Sequence, residues 1–312
     1  MSQFSKKLLY SLKTAIPGTK KSAKWLLSLM IPISLGVALL QHWGVIEWMA
    51  QYLNPIFQHM GLPGSSAVIF ITGATAGTYA GVAAMMSIPL TLRQATIMCL
   101  MIALCHALPM ECAVCKKTGS SFFGTGIIRI IMAFACAFYL NIVLPEMPDA
   151  YAYMGAAADS SLLEVLTTWV ISQCKMVVMV LGIIYSLMVI QRLIEAYNLL
   201  PKLSEFFAPL MHIFGLSRHS TYMWLVGNVL GISYGSAVMV ELEEKGIITK
   251  EEANDVNYHL IMNHSMLEDT IVFAVTGISA GWIISTRVLF AMIVVWGRHL
   301  LKITFRNRNE AL

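Results

Sequence analysis

The sequence LCHALPMECAVC, residues 104–115, places His106, Pro109 and Glu111 inside an otherwise apolar run. A second stretch, IMNHSMLEDTIVF at 261–273, again combines a histidine with carboxylates among apolar residues. Ionisable side chains are costly at the depth of a membrane and usually have a functional or pairing role there. The relation between these two stretches decides the predicted fold.

The composition around them is that of a polytopic membrane protein. The chain has 312 residues, of which 57% are hydrophobic and 12% are charged, and its mean hydropathy is +0.70. A soluble protein of this length is far more polar. The N-terminal lysines are not followed by a short apolar core with a cleavage site, so no secretory signal peptide is predicted. Because the basic residues flank apolar segments, they indicate topology and do not suggest nucleic-acid binding.

The two opening stretches belong to an internal repeat. Residues 54–85 match 208–239 with every pair 154 positions apart, and after a short insertion the offset becomes 158. His106 then falls opposite His264, and Glu111 falls opposite Asp269. A chance alignment of apolar helices would match mainly Leu and Ala, whereas these pairs are mostly Pro, Gly, His, Thr and Arg. We therefore predict that one structural element is present twice.

The distribution of Lys and Arg predicts that the two repeats are inverted. We expect a basic cytoplasmic segment (1–24), a first repeat (25–144), an acidic extracytoplasmic linker (145–167), a second repeat (168–300) and a basic cytoplasmic tail (301–312). Spans are expected at 25–42, 66–88 and 121–144, so the first repeat crosses the membrane an odd number of times. Lys245 and Lys250 would lie outside in this arrangement, which is a mild exception to the rule.

Residues 91–118 are predicted to enter and leave the membrane on one side as a re-entrant helical hairpin. It opens with the capping-box pattern Thr91-x-x-Gln94, which recurs as Thr249-x-x-Glu252. Its tip is expected near 106–111, with the break at Pro109. The alternative is that 93–115 simply crosses the membrane. The predicted fold class is an all-α polytopic membrane protein with two inverted repeats, about six transmembrane helices and two re-entrant helical hairpins.

The stretches GLPGSSAVIFITGATAGTYAGVAAM (61–85) and NHSMLEDTIVFAVTG (263–277) resemble the nucleoside-recognition, or gate, domain family of prokaryotic membrane proteins. Relatives include the gate regions of the bacterial ferrous-iron transporter B and the spore maturation proteins A and B. The resemblance covers about residues 25–300, as two gate repeats. It implies a multi-pass protein of the bacterial cytoplasmic membrane, and the family name suggests nucleosides as cargo.

The candidate site residues follow from the repeat. The side chains expected to bind a solute or ion are His106, Glu111, Asn228, Asn263, His264, Glu268 and Asp269. The supporting residues are expected to be Arg129, Arg287, Pro109, Gly73, Gly77, Gly227 and Gly231. Arg129 and Arg287 each follow a carboxylate by 18 positions, so an ion pair in each half is the main interpretation, with substrate binding and snorkelling as alternatives. A metal site, if present, would use His106, Glu111, His264 and Glu268, whereas Cys112-x-x-Cys115 has no counterpart in the second repeat.

These residues support three hypotheses about function. The first is a secondary transporter of a small polar solute, for which a nucleoside-like compound is one candidate. It would work by alternating access around a midplane site at the two tips, with proton coupling through histidine and carboxylate groups. The second is a divalent metal ion transporter, and the third is a partner-dependent membrane protein that transports nothing. We expect no enzymatic activity and no cofactor; the expected partners are the bilayer, the solute or ion, and a second copy of the chain.

Overall fold

A computed structural model describes residues 3–151, 153, 155 and 160–310, and these residues form a succession of helices. The remaining positions of the predicted linker, 152, 154 and 156–159, and the chain ends 1–2 and 311–312 lie outside the described residues. In the first half, the helices are α1 Gln3–His42, α2 Val45–Phe57, α3 Ser66–Ala76, α4 Thr78–Ser87, α5 Leu92–Cys105, α6 Leu108–Lys117 and α7 Phe122–Val143. In the second half, they are α8 Leu162–Ala196, α9 Leu199–Phe207, α10 Leu210–Ile213, α11 Thr221–Leu230, α12 Ile232–Glu244, α13 Lys250–Asn263, α14 Met266–Val275 and α15 Ala280–Glu310.

Five helical segments among the described residues are long and apolar enough to cross a membrane. They are Ser5–His42, Leu92–Lys117, Phe122–Val143, Leu162–Ala196 and Ala280–Thr304. The prediction of an all-helical membrane protein is therefore confirmed. The sequence analysis interpreted the segment Leu92–Lys117 as a re-entrant hairpin, with a single span as the alternative. Its 26 apolar residues are long enough for a span, and the re-entrant hairpin stays a prediction.

The span expected at 66–88 is wrong, because the chain is broken at Gly77. Gly77 has φ 102° and ψ 176°, a conformation outside the helical region, and it separates α3 from α4. A Cβ built on Gly81 would lie 3.1 Å from the Cα of Gly73, whereas eight residues of straight helix would separate these positions by about 12 Å. The helices α3 and α4 therefore fold back on each other as a helical hairpin. Glycine is needed at the crossing because the two backbones approach so closely.

The helices α11 and α12 form a second hairpin of the same kind. Its break is at Gly231, with φ 96° and ψ 163°. A Cβ on Gly235 would lie 2.9 Å from the Cα of Gly227. In both hairpins the small-xxx-small glycines permit close helix contact, as such spacing does in membrane helices generally.

The break between α5 and α6 lies at Ala107 rather than at Pro109. Ala107 has φ 45°, a left-handed conformation. Pro109 lies in the first turn of α6, where a proline is tolerated because its missing N–H would have no helical acceptor. In the second half the corresponding break is at Ser265, with φ 51°.

The described chain divides into two compact units, and the first contains residues up to 108, 133–197 and 268–283. In it, α1 and α8 lie antiparallel. Lys7 Nζ donates to the carbonyl of Ala196 at 2.8 Å, and Trp169 Nε1 donates to Ser34 Oγ at 3.1 Å near the other end of the pair. The capping box predicted at Thr91 is present at the start of α5.

The second unit contains residues 109–132, 198–267 and 284–312. Its core includes Met223, Trp224 and Leu260. The predicted capping box at Thr249 begins α13. Close to it, Asp255 binds two basic side chains of α15, with His299 Nε2 at 3.1 Å and Lys302 Nζ at 3.2 Å.

Candidate functional sites at the two helix breaks

The first unit contains the α5–α6 break and the N-terminus of α4. The N–H of Ala107 donates to the carbonyl of Gly73 at 3.1 Å, which joins the break to the α3–α4 hairpin. His106, only 5% exposed, lies immediately before the break, and its Nδ1 is 3.1 Å from the carbonyl of Ile102. A carbonyl can only accept, so Nδ1 carries a proton.

Two adjacent carboxylates of α14 lie at the N-terminus of α4. Thr78 Oγ1 donates to Asp269 Oδ1 at 3.3 Å, and the hydroxyl of Tyr79 donates to Glu268 Oε1 at 3.1 Å. The helix N-terminus favours negative charge because its N–H groups point toward it. The sequence analysis did not single out Tyr79, because it follows the apolar pattern of the hairpin.

The second unit contains the α13–α14 break and has a corresponding backbone contact. The N–H of Ser265 donates to the carbonyl of Gly227 at 3.1 Å. Arg287 stabilises the carbonyls that the break releases: its Nε donates to Met262 at 3.1 Å and its NH2 to His264 at 2.6 Å. Arg287 therefore caps the interrupted helix, a role that the sequence did not predict.

His264, Glu111 and Arg129 form a buried chain of polar contacts in this unit. Nδ1 of His264 is 2.7 Å from the carbonyl of Leu260, and its Nε2 is 3.0 Å from Glu111 Oε1. Arg129 NH1 donates to Glu111 Oε2 at 2.5 Å. The ion pair predicted for Glu111 and Arg129 is thus present, and the guanidinium is fully buried.

Geometry determines how many protons the His264–Glu111 pair holds. Because Nδ1 faces a carbonyl, it must carry a proton. The hydrogen bond between Nε2 and Oε1 then requires one further proton, either on the imidazole or on the carboxyl group. Arg129 supplies positive charge beside this carboxyl group, and an adjacent cation favours the ionised carboxylate.

A second polar group of this unit was missed in part by the sequence analysis. Trp224 Nε1 donates to His259 Nδ1 at 3.0 Å, and Asn263 Oδ1 is 3.1 Å from the same nitrogen. Asn257 Nδ2 donates to Thr118 Oγ1 at 2.7 Å. The sequence signal for this group is a set of polar residues on α13, namely Asn257, His259 and Asn263. Their counterparts in the first predicted repeat are the apolar or weakly polar residues Cys99, Met101 and Cys105.

The remaining predicted residues have structural positions. Asn228 is buried and donates to the carbonyl of Trp224 at 3.0 Å. Cys112 and Cys115 are buried free thiols. Gly73, Gly77, Gly227 and Gly231 belong to the two hairpins. Pro109 is exposed on α6.

Comparisons with known proteins bear on the family. Residues 23–122 match the family described as Gate: Nucleoside recognition. Over 275 residues the chain is 26% identical to the uncharacterized membrane protein YvoD of Bacillus subtilis (strain 168). The aligned region covers 86% of this chain and 88% of that protein. No solved structure matches. The resemblance predicted from the sequence is therefore confirmed for residues 23–122, which match the Gate family, and over most of its length the chain is similar to a membrane protein.

Proposed function

We propose that this chain is a secondary transporter of a small polar solute and that protons drive the transport. The observation that carries the proposal is the buried His264–Glu111 pair, which needs one proton between Nε2 and Oε1 and sits beside a helix break. Discontinuous membrane helices with buried ionisable groups are the usual construction of secondary transporter sites. The Gate family also favours a transport-related role.

The proposal includes a revised topology in which the glycine hairpins are the re-entrant elements. Arg93, at the start of α5, donates to Asn141 near the end of α7 at 2.9 Å. The 22 residues of α7 span about 33 Å, and α6 leads directly into the start of α7. We infer that the pair α5–α6 crosses the membrane, because its 26 residues are long and apolar enough to do so. In the second half, Lys302 of α15 binds Glu251 at the start of α13, at 2.8 Å. This contact corresponds to the one between Arg93 and Asn141 in the first half.

This arrangement keeps six crossings and two re-entrant hairpins, but it moves the hairpins to α3–α4 and α11–α12. Five of the crossings are the apolar segments in α1, α5–α6, α7, α8 and α15. We add α13–α14 as the sixth because it corresponds to α5–α6. Lys245 and Lys250 then lie on the cytoplasmic side with both chain termini, as the positive-inside rule favours. Arg93 becomes the exception on the outer side, where it pairs with Asn141. The two repeats remain inverted, and the protein would reside in the bacterial cytoplasmic membrane.

Each helix break offers polar groups that a solute can use. The first unit presents Glu268 and Asp269 beside the start of α4, and the second presents Asn263 and the proton-binding pair. A coupling proton helps only if it is bound better in one state than in the other. That the breaks share one midplane solute site, that the cargo is nucleoside-like and that the chain is not an enzyme stay predictions of the sequence.

The divalent-metal alternative is less favoured by the contacts of Glu111. One oxygen of this carboxyl accepts from Arg129 and the other bonds His264. A metal ion at Glu111 would have to displace a buried guanidinium or approach a cation closely, and both are unfavourable. Metal ions therefore enter the test as competing cargo.

The test is solute-driven proton movement in proteoliposomes that contain the full chain and a pH-sensitive dye. Uridine, adenosine and Mn²⁺ are added outside in separate arms. We expect a nucleoside to move protons in the wild type, while His264→Ala abolishes coupling. Glu146→Gln is the matched control, because it removes an exposed carboxylate from the same chain. Movement with Mn²⁺ alone would favour the metal transporter, and no flux in any arm would favour the partner-dependent protein.

A further inference from the structure

The first unit contains a cavity of about 500 Å³ that is separate from the helix breaks. It is lined by residues from the end of α1, the start of α2, the segment after α4, the described residues of the linker and the first four turns of α8. Its volume falls within the range of small-molecule binding sites. None of the solute-binding residues predicted from the sequence lines it.

Gln173 is the polar group that the fold directs into this cavity. Its side chain is only 8% exposed, and it lines the cavity without a hydrogen-bond partner among the described residues. An amide that lines a cavity without a partner from the described chain is available to a ligand. A ligand in the cavity would provide the partner that the described chain does not.

The other lining groups define the charge and shape of such a ligand. Glu47 contributes a carboxylate at the exposed end, and the described lining includes no Lys or Arg. The rings of Trp169 and Tyr153 also line the cavity. Trp169 already uses its N–H on Ser34, so it offers the cavity its apolar surface. Burial raises the pKa of Tyr153 above its ordinary value, and the phenol therefore stays neutral.

A carboxylate with aromatic faces and a free amide is a favourable environment for an organic cation. Aromatic rings attract ammonium groups through their quadrupole, most strongly where water is excluded. Phosphate or carboxylate ligands would meet Glu47, and the lining offers them no Lys or Arg, only the imidazole of His42. We propose that this cavity binds an alkylammonium group, supplied by a free amine or by the head group of an ethanolamine or choline lipid.

The test uses the full chain purified in detergent and needs no transport. Choline and ethanolamine are titrated while thermal unfolding is followed, with sodium chloride at equal ionic strength as the reference. A second arm adds phosphatidylethanolamine, phosphatidylcholine or phosphatidylglycerol to the detergent. We expect the amine-bearing compounds to raise Tm by mass action. A shift with the free amines identifies a soluble ligand, whereas a shift with the amine lipids alone identifies a lipid head group.

Two variants test whether the ligand binds in this cavity. Glu47→Gln should weaken binding about tenfold, which corresponds to the loss of one charge contact. Ala38→Phe fills the cavity and should abolish the shift. The matched controls are Glu146→Gln, which removes an exposed carboxylate elsewhere, and Leu40→Phe, which adds volume on the exposed side of α1. Full affinity in Glu47→Gln, or no shift with any amine or amine lipid, would overturn the proposal.

Discussion

Nε2 of His264 lies 3.0 Å from Oε1 of Glu111 although 153 positions separate the two residues in the chain. Glu111 belongs to the first half of the chain and His264 to the second half. In the other unit, Thr78 of the first half binds Asp269 of the second half. Each polar cluster therefore combines side chains from both halves of the chain, so neither half can complete such a cluster alone.

Glu111→Gln should destabilise the protein strongly. The amide keeps the size of the side chain but leaves the guanidinium of Arg129, fully buried, without its anion. Breaking a buried ion pair in this way costs about 3–5 kcal/mol. The measurement is the midpoint of thermal unfolding in detergent, with Glu146→Gln as the control.

The double variant Glu111→Gln, Arg129→Leu separates the charge from other effects. Removal of both charged partners should restore much of the lost stability, because no uncompensated charge remains. If the double variant is as unstable as Glu111→Gln alone, the ion pair does not account for the loss.

Gly235→Ala should destabilise the α11–α12 hairpin while Gly36→Ala should not destabilise α1. A Cβ at position 235 would lie 2.9 Å from the Cα of Gly227, whereas one at position 36 meets nothing within 4 Å. Forced separation of packed elements costs about 1–3 kcal/mol, and alanine in an open helical position is favourable. Thermal unfolding of the two variants gives the comparison, and equal midpoints would contradict the close crossing.

The repeated pattern allowed much of this structure to be predicted. The capping boxes at Thr91 and Thr249 could be predicted because each depends on two side chains that are three positions apart in the sequence. The pairing of Glu111 with Arg129 was visible because a buried carboxylate needs a nearby cation.

The hairpins could not be assigned in the same way. A row of glycines predicts close contact between helices. It does not predict whether the partner is a separate helix or the same segment folded back, and the break at Gly77 produces the folded-back arrangement. Tyr79 was missed because its hydroxyl finds Glu268 from 189 positions away. Such a long-range contact leaves no mark on local sequence.

The revised topology predicts that position 250 is cytoplasmic. Cys174 is the exposed cysteine among the described residues, so the test starts from Cys174→Ser and adds Lys250→Cys, whose side chain is 87% exposed. A membrane-impermeant maleimide should label it only in inside-out vesicles. Glu146→Cys in the linker should show the opposite pattern. Labelling of Lys250→Cys from the outside would restore the topology in which 91–118 is the re-entrant hairpin.

Tyr79→Phe tests whether the acidic pair of α14 depends on the α3–α4 hairpin. The change removes only the hydroxyl that donates to Glu268 at 3.1 Å, and it leaves a half-buried carboxylate with one donor fewer. We expect a loss of about 1–3 kcal/mol, because a hydrogen bond to a charged group is stronger than a neutral one. Tyr234→Phe is the matched control, since Tyr234 is 65% exposed on the other hairpin. The two changes remove the same atom, so any difference in unfolding midpoint reports the Glu268 contact. A Tyr79→Phe protein as stable as the control would mean that the carboxylate is satisfied without the hairpin.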